Sequence, residues 1–296
     1  MSDVGNALVR AIDAHWSEQQ GSGHRYHLGA SILGRSCLRE VWFKFWWWHA
    51  PKHTGRILRL FNRGHREEQH AVENLRRLGA VVEDTDSNGR QIKFSRLWGL
   101  MGGERDGAVS NLEDYGLVGA GLLEIKTHGE KSFKHVSDKG LLSAKPEHYI
   151  QMQMYMAWSG MSWGLYYAVN KNTDDLYCQV VPARPELAEQ YTDRATSVIQ
   201  SRTPPKGVSE DPSWFVCRFC DYKRHCHGVP DEKTGEYRYA EADKNCRTCE
   251  HVELRLGPDP EDTEHGHTWV CNLWGGEVPR DYLPKGCDRW VQRHLS

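Results

Sequence analysis

Gly103-Glu104-Arg105-Asp106-Gly107 and, a hairpin's length later, Leu122-Leu123-Glu124-Ile125-Lys126-Thr127 are the segments from which the rest of this chain is best read. A β-strand turns successive side chains to opposite faces, so Glu124 and Lys126 share one face while Leu123 and Ile125 take the other. A carboxylate and an ammonium then lie side by side. Asp106, in a glycine-flanked segment that follows a strand, adds a second carboxylate. With the Ile125 carbonyl these oxygens form a site suited to a hard divalent cation, Mg2+ or Mn2+. Each residue type has a role in phosphodiester hydrolysis. The carboxylates hold the cation, the cation polarises phosphate and acidifies water, and the lysine positions that water or stabilises charge. An isolated Glu-x-Lys is also what an exposed strand carries as a solvated ion pair. Asp106 and the glycine-rich, apolar strand Val118-Gly119-Ala120-Gly121-Leu122-Leu123 argue against that ordinary reading here.

Upstream, Arg56 to Leu78 reads as a helix, because Leu58, Phe61, Val72 and Leu75 recur at the spacing of a buried stripe. His65 and Glu68 fall on or beside that stripe, whereas Glu67 points the other way. A polar group facing a core needs a partner, either a hydrogen bond or a metal. Downstream, Pro146 opens a helix that contains Gln151-Met152-Gln153-Met154-Tyr155. Gln151 and Tyr155 stand one turn apart on the same face, offering an amide and a phenol to a phosphate or a base while the methionines pack inward. Read alone, this is an amphipathic helix with a solvated glutamine.

The order of these features is more specific than any one of them. A helix with Gly64-His65, then Gly-x-x-Asp-Gly ending at Gly107, then Glu124-x-Lys126, then Gln151-x-x-x-Tyr155 is similar to the RecB/Cas4-type branch of the PD-(D/E)XK nuclease superfamily. The resemblance implies a restriction-endonuclease-like core, an α/β fold (α+β mixed sheet flanked by helices). It further implies that His65, Asp106 and Glu124 bind Mg2+ or Mn2+ with the Ile125 carbonyl, and that Lys126 is catalytic. Gln151 and Tyr155 would contact DNA beside the active site. Glu68 is a further ligand candidate on the same helix as His65.

The chain has nine cysteines, no signal-peptide pattern and no apolar run long enough to span a membrane, so the thiols are read as metal ligands in a reducing cytoplasm. They fall into two sets. Cys217-x2-Cys220-x5-Cys226 is a tight triplet, and Cys37 stands far upstream. Thiolates suit zinc and iron-sulfur clusters alike, so the chemistry alone leaves that metal open. The arrangement is similar to the iron-sulfur staple of Cas4 and AddB nucleases, which implies a [4Fe-4S] cluster tying the start of the domain to its end. The second set is Cys246-x2-Cys249, Cys271 and Cys287, in a tail too poor in apolar residues to build a large core. A four-thiolate Zn2+ site would supply the missing stability, so the tail is read as a zinc-ribbon-like module. His251, His265 and His267 are candidate substitute ligands, each of which also reads as an ordinary solvent-exposed histidine, and Cys178 reads as an inert buried thiol in a strand.

The expected organisation is a nuclease domain over residues 1–230, a linker over 231–244 and the cysteine module over 245–296. The formal net charge of −2 excludes a uniformly basic, DNA-coating surface, so contacts to phosphate must be local. Arg35, Arg39, Arg56, Arg59, Arg63, Lys131 and Lys134 are the candidates. In Trp42-Phe43-Lys44-Phe45-Trp46-Trp47-Trp48, successive tryptophans on one helix spread too widely to share a buried stripe, so at least one should reach a surface. Core packing is one use of the run, and a stacking platform for unpaired bases is the other.

The functional expectation is a metal-dependent DNA exonuclease acting on single strands or duplex ends, in recombination, repair or phage DNA processing. An endonuclease of the same superfamily and a non-catalytic DNA-binding adaptor are the alternatives. A recombination partner such as an annealing protein or a helicase is expected, and a membrane is not. The expected location is the cytoplasm of a bacterial or phage-infected cell.

Overall fold

The computed structural model describes residues 2–21, 23–231 and 234–295. In chain order its helices are α1 (Ser2–Glu18), α2 (Ala30–Leu33), α3 (Leu38–Phe45), α4 (Gly55–Arg77), α5 (Glu130–Lys139), α6 (Leu141–Ala144), α7 (Pro146–Ser159), α8 (Pro185–Gln200), α9 (Phe215–Arg218) and α10 (Lys223–His227). The strands are β1 (Leu28–Gly29), β2 (Val81–Glu83), β3 (Lys93–Arg96), β4 (Met101–Glu104), β5 (Gly107–Ser110), β6 (Gly121–His128), β7 (Trp163–Asn170), β8 (Leu176–Pro182), β9 (Val229–Pro230), β10 (Tyr237–Arg238), β11 (Val252–Leu256), β12 (His267–Cys271) and β13 (Gly276–Glu277). This is a mixed α/β chain. It divides into two compact units that interleave along the sequence: Met1–Gln20, Lys52–Phe94 and Gly103–Thr192 in the first, and Gly21–Pro51, Ser95–Gly102 and Asp193–Ser296 in the second.

The first unit is built on a five-stranded sheet of order β2-β5-β6-β7-β8. Its pairs are antiparallel except β6 with β7, which run parallel in the register Glu124↔Tyr166, Lys126↔Ala168 and His128↔Asn170. A parallel pair needs a crossover, and here the crossover is the helical run α5, α6 and α7. One face of the sheet carries Leu123, Ile125, Leu165, Tyr167 and Val169 into a core with Ala71, Val72 and Leu75 of α4. The other face carries Glu124, Lys126 and Tyr166 toward α7, where Gly164 leaves room for the Met152 side chain.

Several expectations are corrected by this arrangement. The buried stripe of α4 covers only its second half, and Phe61 is exposed, because the first half lies against α1, with Gly55 backed onto Asp13 and Arg59 paired with its carboxylate. The strand expected from Val118 starts instead at Gly121. Gly116 and Gly119 take positive φ values of 78° and 72° and turn the chain, leaving Val118 exposed. Helix α7 is not amphipathic: every residue from Tyr149 to Met156 is buried, Gln151 among them. Cys178 is exposed rather than buried, since it lies on the outward side of β8, an edge strand of the sheet.

The second unit holds the tryptophan-rich run 42–48 and eight of the cysteines. None of Trp46, Trp47 and Trp48 reaches the surface, contrary to the helical-wheel argument. Helix α3 ends at Phe45 and Trp47 adopts a left-handed φ of 54°, so the run folds back on itself, with the Trp46 and Trp48 rings packed on Trp42 and the Trp47 ring on His24 and Tyr26. Arg247 is buried among them, its guanidinium 4.1 Å from the Trp47 ring and 4.6 Å from that of Trp269, with hydrogen bonds to the Phe45 and Tyr26 carbonyls. Strands β11, β12 and β13 form an antiparallel sheet that places Cys271 at a strand end. The stretch read as a linker contributes β10, which pairs with β9 just before it, and Asp243 within the stretch accepts a hydrogen bond from the Ala50 amide. Glu232 and Lys233 of that stretch lie outside the described residues.

Candidate active site

Asp106 sits in the break between β4 and β5, where no ladder claims its side chain. Its Oδ2 accepts a hydrogen bond of 2.8 Å from the Ile125 amide, which ties it to the strand that carries Glu124 and Lys126. The alternation of β6 then does what the sequence implies: Leu123 and Ile125 enter the core, and Glu124 and Lys126 project together from the opposite face.

The Lys126 ammonium lies among the very oxygens expected to ligate a cation. It pairs directly with Glu124 Oε1, donates to the Ile125 carbonyl at 3.3 Å and stands 3.8 Å from Asp106 Oδ2. The lysine is thus a stand-in cation for the site. Glu124 is fully buried, and its Oε2 has no hydrogen-bond partner among the described residues. An ionised carboxylate in that position is costly. Burial pushes the Glu124 carboxyl up to about 8, with Lys126 opposing the rise and Asp106 adding to it. Burial works to lower the Lys126 pKa, but Glu124 and Asp106 override it and hold the ammonium well above the ordinary lysine range.

At the edge of this cluster stands Glu68 of α4. Its carboxyl is pushed up by burial and by Asp106, against His65 and Lys126. His65 is 75 % exposed and approaches the cluster through Glu68, its Nδ1 lying 3.6 Å from Glu68 Oε1. The expected core-facing histidine is therefore a surface residue, because the sheet does not extend beneath that part of α4. Gln151 and Tyr155 are buried on α7 and hydrogen-bond each other. Burial, reinforced by the Glu124 charge, raises the Tyr155 phenol well above its usual range. Gly103 owes its identity to this phenol: a Cβ there would collide with the Tyr155 hydroxyl.

A further group on the same face was missed in the sequence. Tyr166 of β7 and His128 of β6 are buried, and the Tyr166 hydroxyl meets His128 Nε2 at 2.8 Å and His148 Nδ1 at 2.9 Å. His128 was findable: the two-residue period that pairs Glu124 with Lys126 places it next on the same face.

The two cysteine sets lie in the second unit, each in its own cavity. Cys37, Cys217, Cys220 and Cys226 line one of them together with Arg39 and Glu40. Cys246, Cys249, Cys271 and Cys287 line the other with His251. His267 is turned away, its Nδ1 2.6 Å from the Trp98 carbonyl. No cysteine is in a disulfide. Burial pushes the Cys220 thiol up to about 12 and the Cys226 and Cys246 thiols up to about 11. Among the described residues no group of three or more His, Cys, Asp or Glu side chains is arranged to hold a metal ion as it stands. Among them, too, no helix is long and apolar enough to cross a membrane.

No protein-family model matches the chain, and no curated protein matches it. Among solved structures it is similar to an alkaline exonuclease, LHK-Exo, from Laribacter hongkongensis, at 16 % identity and a TM-score of 0.40 over 64 % of this chain and 90 % of that one. A phage-related exonuclease from Haemophilus somnus 129PT gives 15 % identity and a TM-score of 0.38 over 58 % of this chain and 91 % of that one. The protein SSO0001 gives 14 % identity and 0.43 over 73 % and 94 %. Likenesses this distant leave the function to be read from the residues of the site.

Proposed function

We propose that this chain is a divalent-metal-dependent deoxyribonuclease of the PD-(D/E)XK type, RecB/Cas4-like, that works as an exonuclease on DNA ends or single strands. The observation that supports it most is the position of the Lys126 ammonium among Asp106 Oδ2, the Ile125 carbonyl and Glu124. A buried carboxylate with an orphaned oxygen, beside a second carboxylate, has no use in a protein that only binds phosphate, which it would repel. It has a use once a cation is present.

Asp106, Glu124 and the Ile125 carbonyl would hold Mg2+ or Mn2+, with Glu68 at the edge and His65 behind it. When bound, the cation would neutralise charge on the scissile phosphate and lower the pKa of water beside it. The chain's own residues do the rest. The Asp106 carboxylate is oriented by the Ile125 amide, and Lys126 holds a permanent positive charge where charge builds on the phosphate. Gln151 and Tyr155 orient the DNA strand beside the carboxylates.

We assign a [4Fe-4S] cluster to Cys37, Cys217, Cys220 and Cys226, and Zn2+ to Cys246, Cys249, Cys271 and Cys287. The support is that each set lines one cavity. Thiols pushed upward by burial are poor thiolates without a cation, and a soft metal reverses that. DNA recombination, repair or phage DNA processing with an annealing protein or helicase is the setting this reading implies.

The test is digestion of end-labelled linear and closed circular single-stranded DNA with Mn2+ or Mg2+. The exonuclease reading expects loss of the linear strand only. Cutting of circles as well would replace it with an endonuclease, and no cutting of either by metal-loaded protein would leave a binding protein.

A further inference from the structure

The face of β6 and β7 that presents Glu124 and Lys126 carries a second polar assembly. In the parallel register Tyr166 stands beside Glu124, Ala168 beside Lys126 and Asn170 beside His128. Neighbours in register on a parallel pair share a face. The Tyr166 hydroxyl reaches His128, so its ring runs along the strip from Glu124 to His128 and passes the point from which Lys126 projects. The small side chain of Ala168 leaves space for it. From the other side, His148 in the first turns of α7 meets the same hydroxyl, and His128 Nδ1 lies 3.0 Å from Ser132 Oγ of α5.

A phenol carries one proton. With a ring nitrogen on each side, the hydroxyl can donate to only one histidine and must accept from the other, with the tautomers of His128 and His148 deciding which. His128 is held neutral in this array, because burial, reinforced by Lys145, Lys126 and Lys171, lowers it to about 4. The Tyr166 phenol is kept protonated by burial, with Lys126 and Glu124 acting in opposite directions. A completed buried network of this kind fixes a ring more firmly than packing alone.

We propose that Tyr166, clamped between His128 and His148, is a positioning residue for Lys126: its immobilised ring is the wall that holds the Lys126 stem in line with Glu124 and Asp106. The clamp joins β6, β7 and two helices of the crossover, α5 and α7, so the lysine is set by the elements that build the site. The proposal deepens the nuclease reading and rests on it for its kinetic part.

The experiment compares full-length wild type with Tyr166→Phe, His148→Ala, His148→Asn and the double variant Tyr166→Phe/His148→Ala. Kinetics on a short single strand with Mn2+ are paired with competitive acetylation of Lys126, read by peptide mass spectrometry. Tyr166→Phe and His148→Ala are each expected to lower kcat roughly ten-fold at unchanged KM, the usual size of effect for residues that orient a reacting group. The double variant should be no worse than either single, and His148→Asn, whose amide can replace Nδ1, should recover most of the loss. Lys126 should acetylate several-fold faster in Tyr166→Phe than in wild type. Additive losses, a change in KM alone, or no change in Lys126 labelling would overturn the proposal. If wild type cuts no DNA, the nuclease reading fails, and the labelling contrast still decides whether Tyr166 holds Lys126.

Discussion

The carboxylate site of the first unit and the cysteine cavities of the second both invite a metal, but they differ in how they stand without one. In the carboxylate site the chain supplies its own cation: Lys126 reaches Glu124, Asp106 and the Ile125 carbonyl. The cysteine cavities have no such substitute for every ligand. Arg39 eases Cys226, yet the Cys220, Cys226 and Cys246 thiols are all driven upward by burial. The first site should therefore fold before it is loaded. On the proposed assignment of metals to them, the cavities should owe part of their stability to a bound cation, which would offset the cost of burying thiolates.

The sharpest way to break that comparison is to remove the charges of the first site. Glu124→Ala and Lys126→Ala are each expected to lower DNA cleavage by on the order of 10³-fold, measured at saturating Mn2+. Substituting the second region should act on stability instead. Cys246→Ser or Cys220→Ser is expected to lower the melting temperature of protein purified under anaerobic, metal-replete conditions by roughly 5–10 °C, the equivalent of a few kcal/mol. Equal melting of wild type and both variants would remove the contrast.

A third prediction concerns pH. The Glu124 carboxyl is raised from 4.5 to about 8, so the folded state holds a proton that the unfolded chain releases. Its contribution to stability is full below about pH 4.5 and is lost as pH rises through about 8. Metal-free Glu124→Gln should lack this dependence, and its stability relative to wild type should rise across that window by on the order of 1–3 kcal/mol, read from denaturant unfolding at successive pH values. Mn2+ should relieve the loss in wild type alone. The smallest effect belongs to the exposed half of α4: Phe61→Ser should stay within about 0.5 kcal/mol, since Phe61 is 50 % exposed, whereas Leu75→Ala in the buried half is expected to cost roughly 2–4 kcal/mol.

What the sequence made legible follows from which rules are local. The period of a strand is local, so the shared face of Glu124 and Lys126 could be read directly, and the same rule delivers His128. Tyr166 could not be found this way. It lies in β7, which is buried along its whole length, and where both faces are buried the alternation that marks a face disappears. The helical wheel of α4 gave the angle of His65 but not which half of a long helix the sheet covers. Nothing such as glycine or proline announces the turn at Trp47, so a wheel drawn through the tryptophans describes a helix that has already ended. Spacing groups Cys217, Cys220 and Cys226, and separately the four tail cysteines, as the two cavities do, but Cys37 lies far upstream of its cavity partners and is joined to them only by the family resemblance.

The most direct test of the central claim is release of label from an end-labelled linear single strand by wild type and Glu124→Gln, each with Mn2+ and with EDTA, after a cooperative melting transition in each establishes that both are folded. Mononucleotide release by wild type in Mn2+ and by neither protein otherwise is the predicted result. Release that persists in EDTA, or that is undiminished in Glu124→Gln, would contradict it.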